Sequence, residues 1–282
     1  MGQRISRLEE DIALDLDLLK GPRELTLDER RILESRVMKK HGVASVTLHW
    51  VNAICWLLLL TTGAALFSQE YLRFVPLWYV EMMSDIFGTR AAMLNFHIAV
   101  GSFWVVTLLL FGIFGFKNYL MAYIKEDMGF IKEDLKWGPA KVKLLLGKIE
   151  EHEMPVQTSY NAGQKAYAVA VAFGTITLMI TGPIMAFRLA SAEVIQWAIL
   201  LHYLGTMLVF TGIFIHVYMA GLFPEERPAF FSMITGKVNE LYGYMHHFLW
   251  WKEIKEKEHA FFREELEKEG KPFPGPETTD GK

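Results

Sequence analysis

The chain has 282 residues, of which 52% are hydrophobic, with 8 Trp, 20 Phe and 14 Met, and a mean hydropathy of +0.20; this is too apolar for an ordinary soluble domain and points to a membrane protein. Its single cysteine, Cys55, excludes an internal disulfide, a thiolate-held iron–sulfur cluster and a C-x-x-C-H haem attachment. The formal charge of -3 is small, but the charges are distributed very unevenly along the chain.

Residues 1–42 mix acidic and basic side chains and read as a charged helical extension outside the bilayer. They lack the short basic region followed at once by an apolar one that marks a secretory signal. Four stretches then contain no Asp, Glu, Lys or Arg: 41–69, 91–116, 166–187 and 194–224. Each exceeds the ~20 residues needed to cross a hydrocarbon core, so the sequence predicts four transmembrane helices. Between the first two, the segment 71–90 carries Tyr71, Trp78 and Tyr79 among apolar residues and predicts an interfacial helix. The tail predicts a charged amphipathic helix followed by a disordered Pro/Gly end. The expected architecture is an all-α membrane protein: extension 1–42, four-helix bundle 43–223, tail 224–282.

Basic residues fix the expected orientation. Arg30, Arg31, Arg36, Lys39 and Lys40 precede the first span, and Lys117, Lys125, Lys132, Lys136, Lys141, Lys143 and Lys148 lie between the second and third. A further cluster runs from Lys252 to Lys271, whereas the other two loops hold only Arg73, Arg90 and Arg188. The positive-inside rule puts both termini and the middle loop in the cytoplasm.

Of the 9 histidines, His49, His97, His202 and His216 fall inside the expected spans, where an ionisable side chain is costly and therefore a functional candidate. His202 and His216, fourteen positions apart, differ by about 1400°, ~40° short of four full turns, and by ~21 Å along a helix. They share one face, one high and one low. Counting from the charges that bound each span puts His49 and His216 at an inner level, and His97 and His202 at an outer one. Two imidazoles from different helices at one depth can clamp an iron porphyrin from both faces. The sequence thus predicts two b-type haems, with His49 and His216 on one and His97 and His202 on the other. A single such histidine would equally suit a hydrogen-bonded packing residue. Glycines 63, 101, 112, 174, 182, 205 and 212 would let flat macrocycles approach, though close helix packing explains them as well. His41, His152, His246, His247 and His259 are expected to be solvated or at interfaces.

The stretches LHWVNA (48–53), YNAGQK (160–165), the LLHYLG and FIHVYMAG segments around His202 and His216, and MITGKVNELYGYMHH (233–247) together resemble the gamma subunit of membrane-bound formate dehydrogenase, a di-haem cytochrome b. The resemblance runs from about Ser45 to Trp251. It implies that His49, His97, His202 and His216 are the axial ligands. It also implies that Asn161, Gly163 and Gln164 border a quinone site, for menaquinone or ubiquinone, near the inner haem. Read without it, YNAGQK is a polar helix start with Asn161 as a cap and Lys165 snorkelling to the surface. Two features depart from the family: ASVTLHW has no arginine before the first histidine, which leaves the propionate partner open, and the acidic extension is longer.

The resemblance implies an electron-transfer subunit in a bacterial or archaeal cytoplasmic membrane. An iron–sulfur partner, itself reduced by a catalytic formate dehydrogenase subunit, would deliver electrons at the outer face for passage to quinone at the inner one. Charge moved inward in this way is worth about 2.3 kcal/mol per elementary charge per 100 mV. The chain shows no site for formate itself. A cytochrome b of a hydrogenase or thiosulfate reductase, or a haem-free anchor or transporter with packing histidines, remains open at this point.

Overall fold

Charge-free apolar runs form helices because backbone N–H and C=O groups in lipid must be satisfied within the segment. In the computed structural model, which describes residues 2–67, 73–117, 121, 124, 128–270 and 272–273, with backbone alone for 2–9, four helices are long and apolar enough to span a membrane. They are α3 (Val43–Leu66), α5 (Arg90–Phe114), α7 (Ala162–Ala186) and α8 (Ala192–Leu222). The other helices are α1 (Gly2–Leu18), α2 (Leu27–Ser35), α4 (Leu77–Phe87), α6 (Asp134–Leu145), α9 (Arg227–Thr235), α10 (Glu240–His246) and α11 (Phe248–Lys268). The expected helical membrane bundle is therefore present. Among the described residues two strands, β1 (Val37–Lys39) and β2 (Lys237–Asn239), form a short ladder.

The chain divides into two compact units: Met1–Met38, Asp127–Lys165 and Val238–Lys282 form one, and Lys39–Glu126 with Ala166–Lys237 form the other. The sequence boundaries at 42 and 223 separated the extension from the tail; the first unit instead combines both with the loop between the second and third spans.

In the second unit, α5 starts on a Thr89 cap, whose hydroxyl accepts from Ala92 N at 3.1 Å, and α8 on a Ser191 cap. Cys55, Trp56, Trp104, Leu178 and Val209 form its buried core. Trp56 and Trp104 meet edge to face at 5.6 Å, and the Trp104 Nε1–H donates to Asn52 Oδ1 at 2.7 Å, so the indole brings no unsatisfied donor into an apolar layer. Helix α4 packs Met83 with Ala65 and Met93, and the Tyr79 hydroxyl donates to Thr61 O at 3.0 Å. The interfacial helix thus spans 77–87 rather than 71–90; Tyr71 lies outside the described residues. Ile54, Leu57, Phe173, Ile180 and Phe214 are exposed, the surface expected of helices in lipid. Between α7 and α8 the backbones approach at Gly174 and Gly205: a Cβ on Gly174 would overlap Val209 Cγ2 and stand 3.3 Å from Gly205 O. Gly236 adopts a left-handed φ of 74° at the end of α9, and its carbonyl accepts from Lys40 N and His41 N at 2.8 and 3.0 Å.

The first unit has a core of Leu18, Leu33, Met38, Tyr244, Phe248 and Trp251, all buried. Helix α2 opens with a capping box between Thr26 and Glu29. Beneath the aromatic residues lies a buried ionic network: Arg36 pairs with Asp15 at 2.6 Å and Glu240 at 3.3 Å, while Lys255 pairs with Asp15 at 3.4 Å and also with Glu240. The tail helix forms as α11; the Pro/Gly end expected to be disordered lies, from residue 274 on, outside the described residues, as do Lys125 and Lys271. Two expectations are corrected. Lys165 does not snorkel: it is fully buried, donating to Asp134 Oδ2 at 2.9 Å and Gly129 O at 2.8 Å. His247 is not solvated: it is 1% exposed, with Nδ1 at 2.8 Å from Thr158 O.

Candidate haem-binding site

All four span histidines belong to the second unit. His49, near the start of α3, and His216, near the end of α8, face each other with ring centroids 6.4 Å apart and planes at 62°. Metal–nitrogen bonds of about 2.0 Å, plus about 1.1 Å from nitrogen to ring centre, place two axial imidazoles on one metal roughly 6.2 Å apart between centroids. The observed separation fits a six-coordinate iron between them. Trp50 meets His49 edge-on at 5.4 Å, and Tyr167 lies parallel to His216 at 5.1 Å and 3°. Gly212 makes this stacking possible, because a Cβ there would stand 2.9 Å from Tyr167 Cε2.

His97 and His202 line one cavity of about 740 Å³ between the four long helices of the unit, together with Gly63, Gly101, Gly182 and Arg90. This volume lies within the roughly 300–1,000 Å³ of cofactor sites. Thr62 Oγ1 is 2.8 Å from His97 Nδ1, and Thr181 Oγ1 is 2.9 Å from His202 Nδ1. Two glycines sit against the rings: Cβ atoms on Gly63 and Gly182 would stand 3.2 and 3.6 Å from the Cε1 atoms of His97 and His202. The donor set of two imidazoles, an apolar wall and glycine clearance suits a flat macrocycle. Among the described residues that line the cavity, Arg90 alone carries a permanent charge. In the sequence Arg90 marks the orientation and the depth of His97; lying seven residues before it, nearly two full turns, it also shares that histidine's face of α5.

Asn161, Gly163 and Gln164 lie in the first unit, where α7 begins. Gln164 N donates to Asn161 Oδ1 and Asn161 N to Gln164 Oε1, each at 2.9 Å, and Ala162 N donates to Gln157 Oε1 at 2.8 Å. The pair forms a reciprocal cap that occupies both amide oxygens. The motif is thus a helix cap. A Cβ on Gly163 would stand 3.0 Å from the Trp137 ring, so the glycine admits that indole.

A family model for prokaryotic cytochrome b561 matches residues 40–236. The formate dehydrogenase cytochrome b556 subunit of Haemophilus influenzae is 27% identical over 244 residues, covering 84% of this chain and 92% of that protein. The nitrate-inducible formate dehydrogenase cytochrome b556(Fdn) subunit of Escherichia coli K12 is 26% identical over 214 residues, covering 74% and 88%. The cytochrome b556(fdo) subunit from the same organism is 25% identical, covering 73% and 88%.

Proposed function

The chain belongs to the prokaryotic cytochrome b561 family, and on that premise we propose that it is the cytochrome b subunit of a membrane-bound formate dehydrogenase, passing electrons from an iron–sulfur partner to a quinone. Its membrane-spanning helices in a prokaryotic family indicate the bacterial inner membrane. The observation that carries the reading is the gathering of four span histidines into two pairs, one facing at the 6.4 Å separation that suits an iron and the other lining a shared cavity. Relatives named as formate dehydrogenase subunits, matched over most of both chains, support the choice of complex.

Haem b bound at each level supplies a one-electron carrier whose potential the protein tunes through its ligands and surroundings. His49 and His216 would hold the inner group, and His97 and His202 the outer. Tyr167 and Trp50 fix the inner rings by stacking and edge contact. Arg90 supplies the positive charge that a propionate at the outer site would meet. Asn161, Gly163 and Gln164 offer N–H donors to a quinone carbonyl, and this role rests on the family resemblance. Both termini are assigned to the cytoplasm from the distribution of Lys and Arg.

The test is a dithionite-reduced minus oxidised spectrum of the purified complex with a pyridine haemochrome assay, followed by anaerobic addition of formate. Two haems per chain, reduced by formate, are expected. No haem would sink the cytochrome reading; reduction by dihydrogen but not formate would sink the choice of donor.

A further inference from the structure

Resting on the two-haem reading above, we infer that Thr62–Gly63 and Thr181–Gly182 are two copies of one positioning device, each orienting one imidazole of the outer pair. Thr62 Oγ1 lies 2.7 Å from Leu58 O and 2.8 Å from His97 Nδ1. Two oxygens this close need a hydrogen between them, and a carbonyl has none, so the hydroxyl hydrogen lies on that line. The contact to Nδ1 then requires a hydrogen from the ring. His97 Nδ1–H therefore donates to Thr62, and Nε2 keeps the lone pair that a metal takes. The second copy repeats the pattern: Thr181 Oγ1 is 2.7 Å from Thr177 O and 2.9 Å from His202 Nδ1.

The glycine that follows each threonine faces Cε1, the ring carbon between the two nitrogens: a Cβ on Gly63, at 3.2 Å, would crowd the ring, whereas one on Gly182, at 3.6 Å, would make ordinary contact. The two copies reach across different helix pairs, α3 onto α5 and α7 onto α8. At the inner level His49 has no counterpart: its Nδ1 is buried with no hydrogen-bond partner among the described residues. An imidazole whose second nitrogen gives its proton to an acceptor is held in rotation and is the stronger donor through Nε2. Thr62 and Thr181 thereby favour the ferric state at the outer site and lower its potential.

The test uses the full chain in its purified membrane complex, with Thr62→Val, Thr181→Val and the corresponding serine variants. The readouts are haem content by pyridine haemochrome, a potentiometric titration and the low-spin ferric EPR spectrum. Both valine variants are expected to raise the midpoint potential of the same one of two haems and to move its largest g value, or to lose that one haem, with serine restoring the wild-type behaviour. Gly63→Ala, whose Cβ would stand 3.2 Å from Cε1, should also move that g value. Gly182→Ala, at 3.6 Å, should leave it in place. Two haems with unchanged potentials in both valine variants, shifts in different haems, or serine variants as impaired as valine would overturn the inference alone. A wild-type complex with fewer than two haems would overturn the two-haem reading and this inference with it.

Discussion

The ring of Tyr167 lies parallel to the ring of His216, with 5.1 Å between centroids and 3° between planes. The stacking depends on Gly212, one turn before His216 on α8, because a Cβ there would come 2.9 Å from Tyr167 Cε2. Gly212→Ala should therefore push Tyr167 off the imidazole at a cost of about 1–3 kcal/mol, typical of overpacking. Its EPR signature should change at the haem that the threonine variants leave alone. An unchanged spectrum and melting temperature would separate Tyr167 from the inner site.

Lys165 and Asp134 form a buried pair whose side chains are 0% and 3% exposed. Removing the cation leaves a carboxylate with no countercharge at that contact, and its Oδ1 already has no hydrogen-bond partner among the described residues. Lys165→Met should destabilise the first unit by about 3–5 kcal/mol, while replacing both residues with apolar ones should recover much of the loss. Limited proteolysis between residues 128 and 165 reads this directly. A single variant as resistant as the wild type would show that the pair contributes little.

The spans and the histidine levels were legible because each rests on local pattern: long charge-free runs, and fourteen residues on one helix face. The partners of the glycines were not. Gly174 and Gly205 serve helix packing, Gly63 and Gly182 face imidazoles, and Gly212 admits a tyrosine; one residue type within the spans does three jobs, which only the facing helix distinguishes. The burial of Lys165 is not legible for the same reason, since its partner Asp134 is 31 positions away. YNAGQK shows the reverse: its capping chemistry follows from the local i, i+3 spacing, and the quinone role cannot be read from that spacing.

Acid should unfold the first unit in a defined window. The Arg23 guanidinium, at 2.6 Å, pulls the Glu29 carboxyl down from 4.5 to about 2. Burial pushes Asp15 up, but the His259 hydrogen bond and the charges of Lys255 and Arg36 outweigh it and hold Asp15 below its ordinary 3.8. A carboxyl depressed in the folded state binds its proton more readily when unfolded, so the stabilisation is complete above the unfolded values and is lost as pH falls through the folded ones. Stability should thus hold down to about pH 4.5 and decline towards pH 2. Arg23→Met returns Glu29 towards its ordinary value and reduces stability at neutral pH. The slope of unfolding free energy against pH between 4.5 and 2 should then be shallower than in the wild type. Equal slopes in the two proteins would mean that the Arg23 contact does not carry this dependence.

Arg90 and the two threonines should act on the same haem with opposite sign. The guanidinium lines the cavity that His97 and His202 share, and a fixed positive charge there disfavours the more positive, ferric state of an iron at that level. Arg90→Gln removes the charge and should lower the midpoint potential, by an amount on the order of 1 kcal/mol for a charge acting through an effective permittivity of about 20. Thr62→Val and Thr181→Val remove acceptors that strengthen the imidazole donors and should raise it. Combining Arg90→Gln with Thr62→Val should then bring the potential back towards the wild-type value, with the second haem unmoved throughout. A fall in the other haem's potential on losing Arg90 would detach this arginine from the outer site.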